Sequence, residues 1–240
     1  MARLSLIIPC YNEAGNLANL VQRIADVMGD RDVEVILVDN GSNDETPTVL
    51  AGEIAPYPFI RSTRVEVNQG YGFGILAGLK VATSEILAWT HADLQTDPAD
   101  VFKGLALFDN APDPANLFVK GARHSRPLRD VVFTWGMTLF ETLLLGVRMP
   151  DINAQPTMFH RHFFATWDDA PHDFALDLYA IYKAARDGLR IDRFPVRFES
   201  RIAGIGNNET LAAKFKNSKR AIEFSFNLRR NLKATSAIKK

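Results

Sequence analysis

The chain has 240 residues, enough to bury one substantial α/β core and better suited to a single catalytic-size domain than to two equal ones. Its 28 lysines and arginines balance 28 aspartates and glutamates, so no global field argues for a nucleic-acid partner. Cys10 is the sole cysteine, which excludes an intrachain disulfide and a multi-cysteine zinc site and fits a reducing cytosol.

The first apolar run, Leu4 to Ile8, is too short for a signal sequence and breaks at Pro9, so it reads as a strand. Val33 to Val38 reads as a second. Between them Leu17, Leu20, Val21 and Ile24 share one face of a helix spanning Asn16 to Met28. A helix from about Glu45 to Ile54, a strand around Arg64 to Val67, a glycine-rich helix start and a buried strand at Ile86 to Trp89 follow. Such alternation predicts an α/β fold with a mostly parallel central sheet and helices on both faces.

After Pro98 the pattern predicts a helix to Phe108, a strand Asn116 to Lys120, a basic loop Arg123 to Arg129 and a helix Val131 to Leu145. A short strand at Thr157 to Phe159, a helix Leu176 to Asp187 ended by Gly188, a strand Arg193 to Phe198 and a polar loop Arg201 to Asn208 complete this half. The longest apolar stretch, Val131 to Val147, carries Glu141 and falls short of the ~20 residues a bilayer requires. Residues 1–210 are thus expected to form one domain. Residues 211–240 mix apolar and basic side chains at helical spacing, which suits a terminal helix docking its phenylalanines on the domain or, as the second reading, one touching anionic headgroups.

In an open α/β sheet, ligands collect beyond the C-terminal ends of the strands, which directs attention to the loops after the first, second and fourth strands. In the first loop Tyr11 can stack on a base, and Glu13 can bond a ribose hydroxyl or simply open the following helix. In the second, Asp39 lies at the strand end, where an acceptor for a base N–H would sit, while Asp44 before Pro47 suits a helix cap. In the third, Asp93 and Gln95 offer hard oxygens two residues apart, suited to holding a divalent ion against a diphosphate, and Asp97-Pro98 caps the next helix. Gly72-x-Gly74-x-x-Ala77 imitates a dinucleotide fingerprint but stands in the wrong β-α turn. Its glycines, with Gly70, more simply allow a tight helix entry beside a ligand.

Taken together, Leu6-Ile7-Ile8-Pro9-Cys10-Tyr11-Asn12-Glu13, Val38-Asp39-Asn40-Gly41-Ser42, Asn68-Gln69-Gly70-Tyr71-Gly72 and Ala92-Asp93-Leu94-Gln95-Thr96-Asp97-Pro98 resemble family 2 glycosyltransferases of the GT-A fold. The subgroup of similar pattern is the dolichyl or polyprenyl phosphate sugar transferases. The resemblance is strong over residues 1 to about 105, and it implies a nucleotide-binding half (1–105) and an acceptor half (106–210). It implies that Pro9, Tyr11, Glu13 and Asp39 hold the nucleotide of a sugar donor, with Asn40, Gly70 and Asp93 in the same nucleotide-binding set. It also implies a divalent cation, magnesium or manganese, on Asp93 and Gln95. His91 replaces the first aspartate of the family's Asp-x-Asp, and a neutral imidazole there tilts the choice toward manganese.

In the second half Arg123, Arg129 and Arg201 fall where the family places arginines that meet phosphate, so the resemblance implies a charge-stabilising role for each. Asp177 stands at the spacing of a general base in hydroxyl-transferring members, although Leu176 leaves the usual Glu-Asp pair incomplete. Asp151 and Asp173 are alternatives. The five histidines form no ligand pattern, and His160, His162 and His172 are given no role. The implied activity is inverting transfer of one sugar from a nucleotide diphosphate sugar to a polyprenyl phosphate or a saccharide. The competing reading is a non-catalytic nucleotide-sugar-binding module with a degenerate metal site. Cell-envelope glycan synthesis in the cytoplasm, with peripheral contact at the inner face of the membrane left open, completes the expectation.

Overall fold

The computed structural model describes residues 2–124, 128–198 and 222–229. Seven strands form one sheet in the order β3-β2-β1-β4-β6-β5-β7. The first half contributes β1 (Leu4–Cys10), β2 (Val33–Asn40), β3 (Ile60–Val65) and β4 (Ile86–Trp89), all parallel. The second half contributes β5 (Leu117–His124), β6 (Thr157–His160) and β7 (Arg190–Arg197), of which β6 runs antiparallel to both neighbours and β7 pairs parallel with β5. The helices are α1 (Ala14–Met28), α2 (Thr46–Ile54), α3 (Tyr71–Val81), α4 (Asp100–Asp109), α5 (Leu128–Leu145), α6 (Arg161–Phe164) and α7 (Leu176–Arg186), with a further helical segment, α8, at 222–229.

The predicted mostly parallel sheet is present, and its two faces explain the sequence pattern. Leu4, Leu6 and Ile8 point into a core shared with Leu17, Leu20, Val21 and Ile24 of α1, whereas Ile7 points into the opposite core with Ile75 and Leu79 of α3. Gly78 lets α3 lie directly on the sheet, because a Cβ there would stand 2.5 Å from Ile7 Cγ2. Strand order reverses between β1 and β4, the former continuing to β2 and the latter lying on its other side. That reversal opens a crevice at the C-terminal ends of β1 and β4, where ligands of doubly wound sheets bind.

Several boundaries differ from the sequence expectation. β3 occupies Ile60–Val65 rather than the stretch to Val67, which is 69 % exposed; as an edge strand it buries only Ile60 and Val65, so no alternation marked its start. β5 continues to His124, which places Arg123 in a strand rather than in a basic loop, and β7 begins at Arg190 because it pairs with β5 over eight residues. The short α6 was not expected. Among the described residues no helix is long and apolar enough to cross a membrane.

Helix α5 carries Glu141 inward. Its carboxyl is 2 % exposed, and Oε2 has no hydrogen-bond partner among the described residues. Burial raises its pKa from 4.5 to about 7. The fold therefore holds the protonated form. Glu141 contributes most favourably below about pH 4.5, and stability declines by roughly 3 kcal/mol as pH rises to about 7. Glu141→Gln is expected to gain about 2 to 3 kcal/mol at pH 8 and little at pH 4.5. Urea denaturation at both pH values measures this, and equal gains at the two would contradict it.

Candidate active site

The loops after β1 and β2 are stitched together by their own polar groups. The Asn12 amide donates to Ser42 Oγ at 3.1 Å, the Glu13 amide to Thr46 Oγ1 at 2.9 Å, and the Asn43 amide to Asn12 Oδ1 at 3.0 Å. Tyr11 stands 40 % exposed above them. Glu13 accepts from the Asn16 side chain one turn into α1, as a helix-opening carboxylate does. Pro9 pairs with Val38 and Cys10 with Asp39, so the two loops leave the sheet at the same level.

Asp39 is 3 % exposed. Its Oδ1 accepts from the Ser42 amide at 3.0 Å and its Oδ2 from Arg64 at 2.5 Å. Arg64, not singled out in the sequence, thus covers the carboxylate expected to face the base. Asn40 is turned sideways, donating through Nδ2 to the Gly70 carbonyl at 2.9 Å. Gly70 adopts φ +116°, and a Cβ there would meet the His172 carbonyl oxygen at 2.4 Å. The glycine entry to α3 therefore admits the backbone of Pro171–Asp173, with Phe73 N donating to His172 O at 2.9 Å. The tight helix entry expected of these glycines is thus also where the backbone of 171–173 packs.

The β4–α4 loop begins where Thr90 N bonds Ile7 O, at the crevice beside β1. Thr90 and Thr96 hydroxyls meet at 3.1 Å and close the loop's base. Asp93 is 6 % exposed and accepts from Gln95 N at 3.2 Å. Asp97 accepts from Ala99 N at 3.0 Å in the turn before α4 while pairing with Arg23 of α1; the N-cap position itself is Ala99, not Asp97 as expected. His91 lies against Tyr71, ring centroids 5.5 Å apart, and Tyr71 stacks on Phe174 at 4.8 Å. Burial lowers the His91 pKa, opposed by the charges of Asp93 and Asp177 and aided by those of Arg123 and Lys120. Those five side chains share one electrostatic environment.

Asp177, expected as a base, is 2 % exposed and receives Lys120 Nζ and Gln155 Nε2, each at 2.9 Å, on a single oxygen. Lys120 is fully buried and also donates to Thr157 Oγ1. Burial pulls the Lys120 pKa down, and the Asp177 carboxylate opposes it. Sequence reading missed Lys120, Gln155 and Tyr71. The available signal was a lysine flanked by Phe118, Val119 and Gly121, since a lysine inside a buried strand requires a partner.

Arg123 is gripped by Asp151, whose carboxylate accepts from its backbone N at 2.8 Å, Nε at 2.9 Å and Nη2 at 2.5 Å. Arg193 ties the same corner, donating to Gly121 O at 2.7 Å and Asp151 O at 3.0 Å. Arg129 lies in the first turn of α5; its side chain and the whole of Arg201 lie outside the described residues.

Asp93 carboxylate, Gln95 amide oxygen and a deprotonation-favoured His91 imidazole are donors that suit manganese or magnesium. No cluster of three or more histidine, cysteine, aspartate or glutamate side chains is assembled for a metal among the described residues.

A family model, glycosyl transferase family 2, matches residues 5–166 and so takes in β1 to β6 with all three loops. The chain belongs to glycosyl transferase family 2. It is 33 % identical over 116 residues to an undecaprenyl-phosphate 4-deoxy-4-formamido-L-arabinose transferase of Enterobacter sp. (strain 638), covering 46 % of this chain and 35 % of that protein. It is 30 % identical over 123 residues to a dolichol-phosphate mannosyltransferase of Pyrococcus furiosus, covering 50 % and 35 %. The matched region thus spans about a third of these relatives. In structure it resembles the glucosyl-3-phosphoglycerate synthase of Mycobacterium tuberculosis in complex with Mn2+, UDP-glucose and phosphoglyceric acid, with TM-score 0.72, 16 % identity and coverage of 95 % and 79 %. It likewise resembles a Pyrobaculum calidifontis mannosyltransferase in complex with GDP-mannose and Mn2+, with TM-score 0.64, 21 % identity and coverage of 85 % and 58 %. The family 2 member therefore has the GT-A fold predicted from its motifs.

Proposed function

We propose that this chain transfers one sugar from a nucleotide diphosphate sugar to a polyprenyl phosphate, with inversion at the anomeric carbon. The observation that carries the choice of acceptor is the buried Lys120–Asp177 pair. A saccharide hydroxyl needs a base to take its proton as it attacks, whereas a phosphate oxygen is already ionised. The carboxylate at the base position is occupied by two donors and closed to solvent, which favours the ionised acceptor. Both curated relatives carry an undecaprenyl or dolichol phosphate in their names.

In this reading the nucleotide lies across the loops of Tyr11, Glu13 and Asp39, with Pro9, Asn40 and Gly70 shaping their backbone. Asp93 and Gln95, with His91 as a neutral nitrogen donor, would hold a divalent cation, which when bound supplies charge neutralisation at the leaving diphosphate. The acceptor phosphate oxygen forms the new bond to the anomeric carbon as the sugar–diphosphate bond breaks, its electron pair leaving on the nucleoside diphosphate. No proton moves. Arg123, fixed by Asp151, contributes positive charge near the reacting phosphates, and Arg129 and Arg201 are proposed to do the same. The setting is cell-envelope glycan synthesis at the inner face of the membrane.

Incubation with labelled UDP- and GDP-sugars, manganese and either undecaprenyl phosphate or oligosaccharides tests the proposal. Label is expected in the lipid phosphate with one nucleotide sugar. Label in oligosaccharide alone would overturn it.

A further inference from the structure

Strand register brings Arg64 to Asp39. Cys10 of β1, Asp39 of β2 and Arg64 of β3 stand opposite one another in the parallel sheet, and residues so paired project to the same face. That face carries Cys10 and Leu37 into the core with Leu17 of α1 and Leu50 of α2, and the loops holding Tyr11 and Ser42 follow directly from its strands. Because β3 is the edge strand, the Arg64 side chain stays 43 % exposed while it pairs with the buried carboxylate.

The Asp39 carboxylate lies between two donors, the Ser42 amide on Oδ1 at 3.0 Å and Arg64 Nη1 on Oδ2 at 2.5 Å. The row therefore reads donor, acceptor, donor. A guanidinium has five N–H groups, so Arg64 keeps others beside the one given to Asp39. The Ser42 flank is held by its neighbours, since a Cβ on Gly41 would stand 2.4 Å from Asn68 N and Ser42 Oγ accepts from the Asn12 amide.

Nucleobases sort against that row by their own edges. A pyrimidine dione, uracil or thymine, presents O4, N3–H and O2, which is acceptor, donor, acceptor and so complements it. Guanine presents O6, N1–H and an amino group, so its third member sets an N–H against the Ser42 N–H. A guanine held by both carboxylate oxygens would need Oδ2, where Arg64 already sits. Cytosine and adenine place a ring-nitrogen acceptor against the carboxylate. Each mismatch leaves a desolvated polar group without a partner, which costs more than a hydrogen bond contributes.

We infer that Arg64, paired with Asp39, selects a uracil-type base in the nucleotide of the donor. The inference rests on the reading above that a nucleotide lies at Asp39, and it names the base. The full chain is titrated calorimetrically with UDP, dTDP, GDP and CDP, manganese present throughout, beside Arg64→Met and Arg64→Lys. UDP and dTDP share the imide edge, and the tighter of the two tells which source supplies it. That nucleotide is expected to bind the natural chain at least about tenfold more tightly than GDP and CDP. In Arg64→Met the preference is expected to shrink to about threefold or less, and Arg64→Lys, which keeps the charge without the planar fork, to recover part of it. A loss by the same factor for all four nucleotides would give Arg64 a merely structural role and overturn the inference. So would a natural chain that prefers GDP or CDP, a result that no variant is needed to read. A chain that binds none of the four sinks the nucleotide reading and this inference with it, whereas binding with another base preference removes only the role of Arg64.

Discussion

Replacing Asp93 by alanine is expected to lower transfer by about a thousandfold or more, corresponding to roughly 4 kcal/mol of lost transition-state stabilisation. Asp93 is the one carboxylate in the candidate ligand set, because the position two residues before it is His91. Its neighbours cannot substitute for it. Gln95 is neutral, and burial favours the uncharged His91, so the variant would bring no negative charge to offset the ion as it neutralises a diphosphate. Asp93 also accepts from Gln95 N at 3.2 Å within one turn, a bond that contributes about 1 kcal/mol to folding, so folding of the variant is measured beside its transfer. Steady-state kinetics over a manganese series, with a melting curve to confirm folding, measures the effect. A variant within tenfold of the natural chain at every manganese concentration would remove Asp93 from the site.

The second large effect falls on stability. Lys120→Met keeps the stem and removes the ammonium, leaving the Asp177 carboxylate buried with its strongest partner gone. Breaking one half of a buried pair typically costs about 3 to 5 kcal/mol, a large share of the 5 to 15 kcal/mol that holds a domain folded. The pair joins β5 to α7 across 57 residues, and Thr157 and Gln155 join it to β6 and the turn before it. The double variant Lys120→Met/Asp177→Leu, which removes both charges, is expected to recover most of the loss. Denaturant titrations of the natural chain, the single variant and the double variant decide the matter. A single-variant loss below about 1 kcal/mol would mean that the pair is not the tie the geometry indicates.

The first half of the fold, β1 to β4, was legible in the sequence because its signals are local. An apolar run followed directly by Tyr11-Asn12-Glu13, by Asp39-Asn40 or by Asp93-Leu94-Gln95 marks both a strand and the polar candidate loop at its end. Asp44 and Asp97 marked the turns that open α2 and α4, each accepting from the amide two residues on, although the N-cap positions are Glu45 and Ala99. What could not be seen depends on contacts made across the chain. Asp177 looked available as a base because Lys120, which holds it, lies 57 residues away. Asp39 looked open because Arg64 sits 25 residues away, on a strand whose edge position blurred its alternation. Helix α5 was recognised as a helix, but with apolar residues on more than one face its periodicity gave no indication that Glu141, rather than Trp135, would be inside.

A nucleoside diphosphate and a divalent ion are proposed to bind together at the C-terminal ends of β1, β2 and β4. Calorimetric titration of UDP and of GDP, each with and without manganese, reads that directly. One of the two is expected to bind at least about tenfold more tightly with the ion present, as required when the ligand supplies part of the metal's coordination. Nucleotide binding of equal strength with and without manganese would contradict it.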